Sequence, residues 1–200
     1  MPLPKNIGCV YLHGFLSSPQ SKKAQELIQY FADSDMSEQL RVPCLAFEPA
    51  TAIEQAIAAI EELEQQDGID QVFLMGSSLG GYYATYISEL KGIKAALINP
   101  AVRPYELFDK YLGPNKHFYD GKTYLLEVKH IEQLQALEIK ALSQPENLFL
   151  LLQTGDETLD YRLASEKYLD CPSWIEAGGS HSFEDFMDRL EMLFSYLKWT

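Results

Sequence analysis

Cysteine and long apolar runs are scarce in this 200-residue sequence. Its three cysteines, Cys9, Cys44 and Cys171, form no CxxC pair and no cluster with histidine, which argues against a disulfide framework and a structural zinc site. We expect all three to be buried free thiols of a reducing compartment. The apolar runs are too short to span a bilayer, and the first residues lack a signal-peptide pattern, so we expect a cytoplasmic protein.

Basic residues are also few, since 16 Lys and Arg stand against 29 Asp and Glu, for a formal net charge of −13. An acidic surface repels phosphate backbones and anionic lipid headgroups, so we expect neither nucleic-acid nor membrane binding. The charge identifies no substrate, and solubility explains it. The length and the 46% hydrophobic content predict one globular domain, residues 1–200, with a core that requires no disulfide or metal.

Short apolar runs alternate with segments of helical periodicity, the pattern of a parallel sheet covered by helices. The predicted fold class is therefore α/β, with a mainly parallel sheet of about six strands and helices on both faces. The predicted strands are 7–12, 42–47, 72–75, 95–98, 148–152 and 174–177. Helices are predicted after the N-cap candidates Ser18 and Thr51, over 79–90, 127–137 and 161–169, and after Ser182. The inward faces of the first and last helices are predicted to be Ala24, Leu27, Ile28 and Phe31, and Phe186, Met187, Leu190, Leu193, Phe194 and Leu197.

Residues 101–146 interrupt this alternation. They contain no good buried strand, and we interpret them as a small helical cap inserted over the carboxyl edge of the sheet. The aromatic residues of the insertion either line an acyl pocket or form its own core, and the sequence favours neither alternative. They are Tyr105, Phe108, Tyr111, Phe118, Tyr119 and Tyr124.

The segment Gly76-Ser77-Ser78-Leu79-Gly80 matches the GxSxG nucleophile elbow of the α/β-hydrolase fold and lies between a predicted strand and a predicted helix. In this motif a strained turn points the hydroxyl of the serine into the cleft, and Gly76 and Gly80 leave room where strand and helix approach. The helix N-terminus behind Ser78 favours a developing oxyanion. A glycine-rich turn with an incidental serine is the alternative, which the strand–turn–helix context disfavours.

A serine nucleophile needs a base oriented by an acid, and in this fold the order along the chain is serine, acid, histidine. Asp156 follows the predicted strand 148–152, and His181 lies in a glycine-flanked loop after the last predicted strand. Glu157 and Asp160 compete with Asp156 for the role of the acid. Asp160 fits better as the N-cap of the following helix, and Glu157 as a solvated side chain.

The oxyanion hole requires two backbone N–H donors. We expect Leu79 to provide one and Phe15, in the loop after the first strand, to provide the other, with Leu16 as its alternative. His13 either braces this loop by hydrogen bonding or is a plain turn residue. Arg103 follows Asn99-Pro100, where a surface salt bridge is favoured over contact with an anionic substrate group.

With these motifs the chain resembles the YqiA/YcfP-like esterase family of bacterial α/β-hydrolases. The matching stretches span residues 11 to 186 and read YLHGFLSSPQSKKA, MGSSLGGYYAT, INPAVRPYELFDKYLG, LLQTGDETLDYR and GGSHSFEDF. The resemblance implies hydrolysis of carboxylic esters or acyl thioesters, and the catalytic triad of the family falls on Ser78, Asp156 and His181. The chemistry predicted from these residues requires no cofactor. The alternatives are the same triad acting on acyl-CoA or a carbon–carbon bond, and a non-catalytic binding scaffold.

Overall fold

The computed structural model describes residues 3–197, apart from the side chains of Asp109 and Leu197. The strands are β1 (Ile7–Leu12), β2 (Leu40–Arg41), β3 (Gln71–Ser77), β4 (Ala95–Ile98), β5 (Gly113–Lys116), β6 (Thr123–Leu126), β7 (Leu148–Gln153) and β8 (Ser173–Glu176). Six of them form one parallel sheet in the order β2-β1-β3-β4-β7-β8. The predicted parallel α/β architecture is confirmed.

Helices cover both faces of this sheet, because successive residues of each strand point to opposite sides. They are α1 (Lys22–Asp33), α2 (Pro49–Glu64), α3 (Leu79–Lys91), α4 (Pro104–Phe108), α5 (Val128–Ala136), α6 (Tyr161–Lys167) and α7 (Leu190–Leu197). Val10 and Leu74 belong to the apolar core that includes α2, α3 and α6. Their strand neighbours Cys9 and Phe73 belong to the core beneath α1 and α7.

The N-termini of α1 and α2 differ from the predicted ones. Ser18 does not cap α1, because its hydroxyl accepts a hydrogen bond from the N–H of Gln20 in a preceding turn, at 3.0 Å. The helix begins after Ser21 instead. Similarly, α2 begins at Pro49, whose fixed φ suits the first helical position, so Thr51 lies within the first turn and is not a cap.

The second predicted strand, 42–47, is wrong, because β2 ends at Arg41. Pro43 has no N–H to offer a ladder, and the N–H groups beyond it bind elsewhere. The N–H of Leu45 donates to His13 Nε2 at 3.1 Å, and that of Ala46 donates to a side chain of α2 at 2.6 Å. Cys44 in this segment is exposed, contrary to expectation, whereas Cys9 and Cys171 are buried free thiols as predicted.

Two further corrections concern residues 101–146 and the end of the chain. The strands β5 and β6 form an antiparallel hairpin that the sequence analysis missed. The last helix begins at Leu190 rather than soon after Ser182, because a 3₁₀ turn over Phe186–Arg189 comes first.

The prediction that Leu197 is buried falls on a side chain outside the described residues. Ile28 was predicted to face the sheet but is 37% exposed.

None of the helices in residues 3–197 combines the length and the apolar character required to cross a membrane.

Candidate active site

The turn between β3 and α3 has the geometry expected of a nucleophile elbow. Ser78 has φ 56° and ψ −119°, a conformation that residues with a side chain rarely adopt. A Cβ atom on Gly76 would lie 2.2 Å from the carbonyl oxygen of Gly80, and one on Gly80 would lie 2.0 Å from that of Leu12. Only glycine fits at these two positions, so the turn can be this tight.

The structure brings Ser78, His181 and Asp156 into direct contact. The Oγ atom of Ser78 lies 3.1 Å from His181 Nε2, and His181 Nδ1 lies 2.7 Å from Oδ2 of Asp156. An ionised carboxylate can only accept, so Nδ1 carries the proton that it donates to Asp156, and Nε2 is free to accept from the serine hydroxyl. All three residues follow the carboxyl ends of their strands, where ligands of parallel sheets bind.

The Asp156 carboxylate is enclosed by donors, and its side chain is only 2% exposed. Its Oδ1 atom accepts from the N–H groups of Thr158 and Leu159, each at 2.8 Å. Burial acts to raise the pKa of Asp156, but the hydrogen bonds from the imidazole and from these two N–H groups outweigh it and hold the pKa below its usual range. The carboxylate is therefore charged at neutral pH.

The two competing acids do not contact the imidazole ring. Asp160 caps α6, as predicted, and accepts from the N–H of Arg162 at 3.0 Å. Glu157 is exposed, but it is more than a solvated side chain, because its Oε2 atom accepts from the backbone N–H of His181 at 3.0 Å. It therefore helps to hold the loop that carries the imidazole.

Two buried amides that the sequence analysis did not single out also hold this loop. The side-chain nitrogen of Asn99, directly after β4, donates to the carbonyl oxygens of Ser180 at 3.0 Å and His181 at 3.2 Å. The Oε1 atom of Gln153, at the end of β7, accepts from the N–H groups of Ser180 at 3.1 Å and Glu184 at 2.8 Å. Their positions at strand ends were the only signal in the sequence.

Lys23 of α1 is a third unpredicted contact of the loop. Its ammonium group donates to the carbonyl oxygen of Ser182, next to His181. Burial lowers the pKa of Lys23 to about 8. The helix on one face of the sheet is thereby tied to the loop at its edge.

The loop after β1, residues 13–17 (the β1 loop), lies against the elbow. A Cβ atom on Gly14 would be 3.2 Å from the Cβ atom of Ser78. Within residues 3–197, the backbone N–H groups of Phe15 and Leu79 donate to no other group, and neither does that of Leu16, the alternative to Phe15. His13 braces the loop, since its Nδ1 atom contacts the Gly14 carbonyl at 3.0 Å while its Nε2 atom accepts from Leu45.

A cavity of about 820 Å³ opens at Ser78 and His181. The aromatic residues of 101–146 divide between the two alternatives. Phe108 is buried in the core and also lines this cavity, whereas Tyr111, Phe118 and Tyr119 line the cavity and remain about half to three-quarters exposed.

The model of a family described as an uncharacterised protein family, UPF0227, matches residues 8–198. The chain belongs to the UPF0227 family. A UPF0227 protein of Serratia proteamaculans is 24% identical over 187 residues, which cover 92% of this chain and 95% of that protein. The UPF0227 protein YcfP of Salmonella arizonae is 29% identical over 57% of this chain and 62% of its own length. The predicted resemblance to YcfP-like proteins is thus confirmed.

The fold of this UPF0227 chain is that of the α/β-hydrolases. It is similar to the mouse alpha/beta hydrolase domain-containing protein 10, with a TM-score of 0.71 at 13% identity, over 99% of this chain and 93% of that one. At such low identity the likeness establishes the fold alone.

Two other features of this UPF0227 chain concern possible ligands. Arg103 forms an ion pair with Glu106 at 3.4 Å, the surface role that the sequence favoured. Among residues 3–197, no group of three or more His, Cys, Asp or Glu side chains is placed to hold a metal ion.

Proposed function

We propose that this protein is a serine hydrolase that cleaves carboxylic esters, with acyl thioesters as a second substrate class, through an acyl-enzyme intermediate. Ser78 is the nucleophile, His181 the general base and Asp156 the orienting acid. One observation carries the proposal, namely the unbroken line of contacts from the Ser78 hydroxyl through the imidazole to a buried carboxylate, at 3.1 Å and 2.7 Å. The opening of a cavity at Ser78 supports it.

In the first half of the proposed reaction, Ser78 Oγ attacks the ester carbonyl carbon and His181 Nε2 takes the hydroxyl proton. The Asp156 carboxylate stabilises the resulting imidazolium. The negative oxygen of the tetrahedral intermediate accepts hydrogen bonds from the N–H groups of Phe15 and Leu79, which have no partner among the described residues. When the intermediate collapses, the imidazolium protonates the departing alcohol or thiol and acyl-Ser78 remains.

In the second half, His181 takes a proton from a water molecule, which attacks the acyl carbon. The second tetrahedral intermediate collapses, Ser78 regains its proton and the free acid leaves. Every charge in this cycle is handled by the protein's own side chains and N–H groups, so the proposed mechanism requires neither a metal nor an organic cofactor.

Residues 101–146 are, in this proposal, a cap over the site within one domain. The exposed aromatic side chains of Tyr111, Phe118 and Tyr119 support it, since they face the same cavity as Ser78. An apolar acyl group would bury part of their surface on binding. The expected cytoplasmic location stays a prediction from the sequence.

The direct test is hydrolysis of short p-nitrophenyl esters by the wild type and by Ser78→Ala. We expect kcat to fall by about 10³-fold or more, because the nucleophile is lost while the fold is kept. Ser173→Ala, an exposed serine at the opposite end of the sheet, is the matched control and should retain full activity. Undiminished turnover by the Ser78 variant would contradict the proposal.

A fluorophosphonate probe distinguishes the enzyme from a non-catalytic scaffold, because only an activated serine reacts with it. Labelling of the wild type but not of Ser78→Ala supports the enzyme, and a folded wild type that stays unlabelled supports the scaffold. Parallel turnover of matched oxoesters and thioesters then ranks the two substrate classes.

A further inference from the structure

The hairpin of β5 and β6 contacts the β1 loop through two hydrogen bonds between residues about 100 positions apart. His117, which follows β5, places its Nε2 atom 2.8 Å from the carbonyl oxygen of Ser17. The N–H of Phe118 donates to the carbonyl oxygen of Leu16 at 3.3 Å. Two consecutive carbonyl groups of the β1 loop are therefore held by two consecutive residues of the hairpin.

Both ring nitrogens of His117 have partners. A carbonyl oxygen only accepts, so Nε2 carries the proton that it donates to Ser17. On the other side of the ring, Nδ1 lies 3.2 Å from the backbone nitrogen of Asp120 and 3.0 Å from Oδ1 of its carboxylate. Both ring nitrogens are thus used, and the ring is fixed between the hairpin turn and the β1 loop.

The β1 loop requires such contacts because Leu16 is strained. Its φ of 54° lies in the left-handed region, which a residue other than glycine rarely adopts unless the surrounding structure holds it there. Inside the loop, one backbone–backbone hydrogen bond spans this turn, from the N–H of Ser17 to the carbonyl of Gly14 at 3.3 Å. The two bonds from the hairpin act on the carbonyl of Leu16 and on that of the next residue.

A chain of aromatic rings connects the same two segments. The ring of His117 lies 5.8 Å from that of Tyr124, which stacks on Phe47 at 5.1 Å, and Phe47 lies 5.6 Å from Phe15. Phe15 also contacts Phe108 at 4.5 Å. Phe15, whose N–H is the proposed oxyanion donor, is therefore held by the ring contacts of its own side chain. The hairpin also holds the carbonyl groups of the two residues that follow Phe15.

We propose that the hairpin is a positioning element of the oxyanion hole and that His117 is its principal positioning residue. The inference rests on the proposed function and adds a role that the Ser78–His181–Asp156 contacts do not supply. His117 touches no reacting atom in this proposal. It keeps the strained turn at Leu16 in place, and the turn keeps the Phe15 N–H aimed at the position where the oxyanion develops. Its loss therefore lowers kcat and leaves KM nearly unchanged, because the donor acts mainly in the transition state.

A matched pair of substitutions tests this role. His117→Gln retains an N–H donor close to the position of Nε2, and His117→Glu has nearly the same shape but only accepts. Lys116→Gln is the control, since this exposed neighbour shows no side-chain contact among the described residues. Each variant is assayed with p-nitrophenyl butyrate for kcat and KM, and its fold is checked by circular dichroism and thermal unfolding.

We expect His117→Glu to lower kcat about 10-fold with KM within twofold of the wild type. This is less than the 10²–10³-fold that removal of an oxyanion donor costs, because the donor is loosened and not lost. We expect His117→Gln to keep at least half of the wild-type kcat, and Lys116→Gln all of it. Equal kcat values for the folded Gln and Glu variants would overturn the inference, as would a loss confined to KM.

The result separates the inference from the function on which it rests. If the wild type hydrolyses esters through Ser78 while the two variants are equal, the inference alone is wrong. If the wild type hydrolyses no ester, the proposed function fails and the inference with it. Should His117→Glu fail to fold, His117→Ala replaces it in the comparison with His117→Gln, and the same outcomes apply.

Discussion

The side-chain nitrogen of Asn99 lies 3.2 Å from the carbonyl oxygen of His181 and ties the end of β4 to the loop that carries the imidazole. Its Oδ1 atom also accepts from the backbone N–H of Gln153 at 3.0 Å, so the same side chain holds the end of β7. Asn99 is 2% exposed and has φ 40°, a left-handed conformation that asparagine tolerates better than most residues. One amide thus joins the ends of β4 and β7 to the loop that follows β8.

Replacement of Asn99 by glycine removes these hydrogen bonds without backbone strain, since glycine accepts the same φ. We expect the variant to lose about 1–3 kcal/mol of unfolding free energy, because the buried N–H of Gln153 is left without its partner. We also expect kcat to fall about 10-fold as the imidazole loses its alignment with Ser78. Urea unfolding and ester turnover measure the two effects. Asn147→Gly, at the opposite end of the sheet, is the control and should keep the wild-type kcat. An Asn99→Gly variant with wild-type kcat would contradict the positioning role of Asn99.

The strained turn at Ser78 predicts that a side chain at this position lowers the free energy of unfolding. Ser78→Ala keeps a Cβ atom at φ 56° and therefore keeps the backbone strain. Ser78→Gly releases that strain, which is worth about 1–3 kcal/mol. The greater freedom of glycine in the unfolded chain offsets about 0.4–1 kcal/mol of this gain in stability. We therefore expect the glycine variant to unfold with about 1 kcal/mol more free energy than the alanine variant. At Ser77, whose φ is not positive, the alanine variant should instead be more stable than the glycine variant. Urea midpoints compare the two pairs, and a Ser78→Gly variant no more stable than Ser78→Ala would show that the elbow stores no strain.

Glu176 at the end of β8 predicts a pH dependence of stability. Its hydrogen bond from Arg189 outweighs burial and, with further bonds from Gln153 and Trp174, lowers the pKa of Glu176 to about 2. The pKa of an unfolded glutamate is about 4.3. Because the folded pKa is the lower one, the stabilisation is present above pH 4.3 and disappears as the pH falls towards 2.

We expect Glu176→Gln to lower the unfolding free energy by about 1 kcal/mol at pH 7, the size of a well-formed surface ion pair. The difference from the wild type should shrink below pH 4.3 and vanish near pH 2. Urea unfolding over this pH range measures it, with Glu54→Gln on the exposed face of α2 as the control. A difference that stays constant with pH would exclude the ion pair as its source.

The sequence predicted the structural features that depend on a local pattern of residues. Apolar runs located five of the six sheet strands, and the order of serine, acid and histidine at strand ends led to the residues that meet in space. These three residues come together because β3, β7 and β8 are parallel and end at one edge of the sheet. The catalytic roles of these residues stay a prediction until they are tested.

The features that the sequence did not reveal depend on contacts between distant parts of the chain. Asn99 holds residues 54 to 82 positions away, so no spacing rule points to it. The hairpin was missed because β5 reads Gly-Pro-Asn-Lys, which combines low strand propensity with alternating partial exposure. The strand predicted over 42–47 does not form because the N–H of Leu45 binds His13, a contact that no periodicity predicts.

Cys44 is the single exposed thiol of the three, and it lies next to Leu45, whose N–H binds the His13 ring that braces the β1 loop. A maleimide dye would consequently couple at one known position of the native protein, while Cys9 and Cys171 stay shielded. The emission of such a dye would report movements of the β1 loop in real time. No engineered cysteine would be required for that measurement.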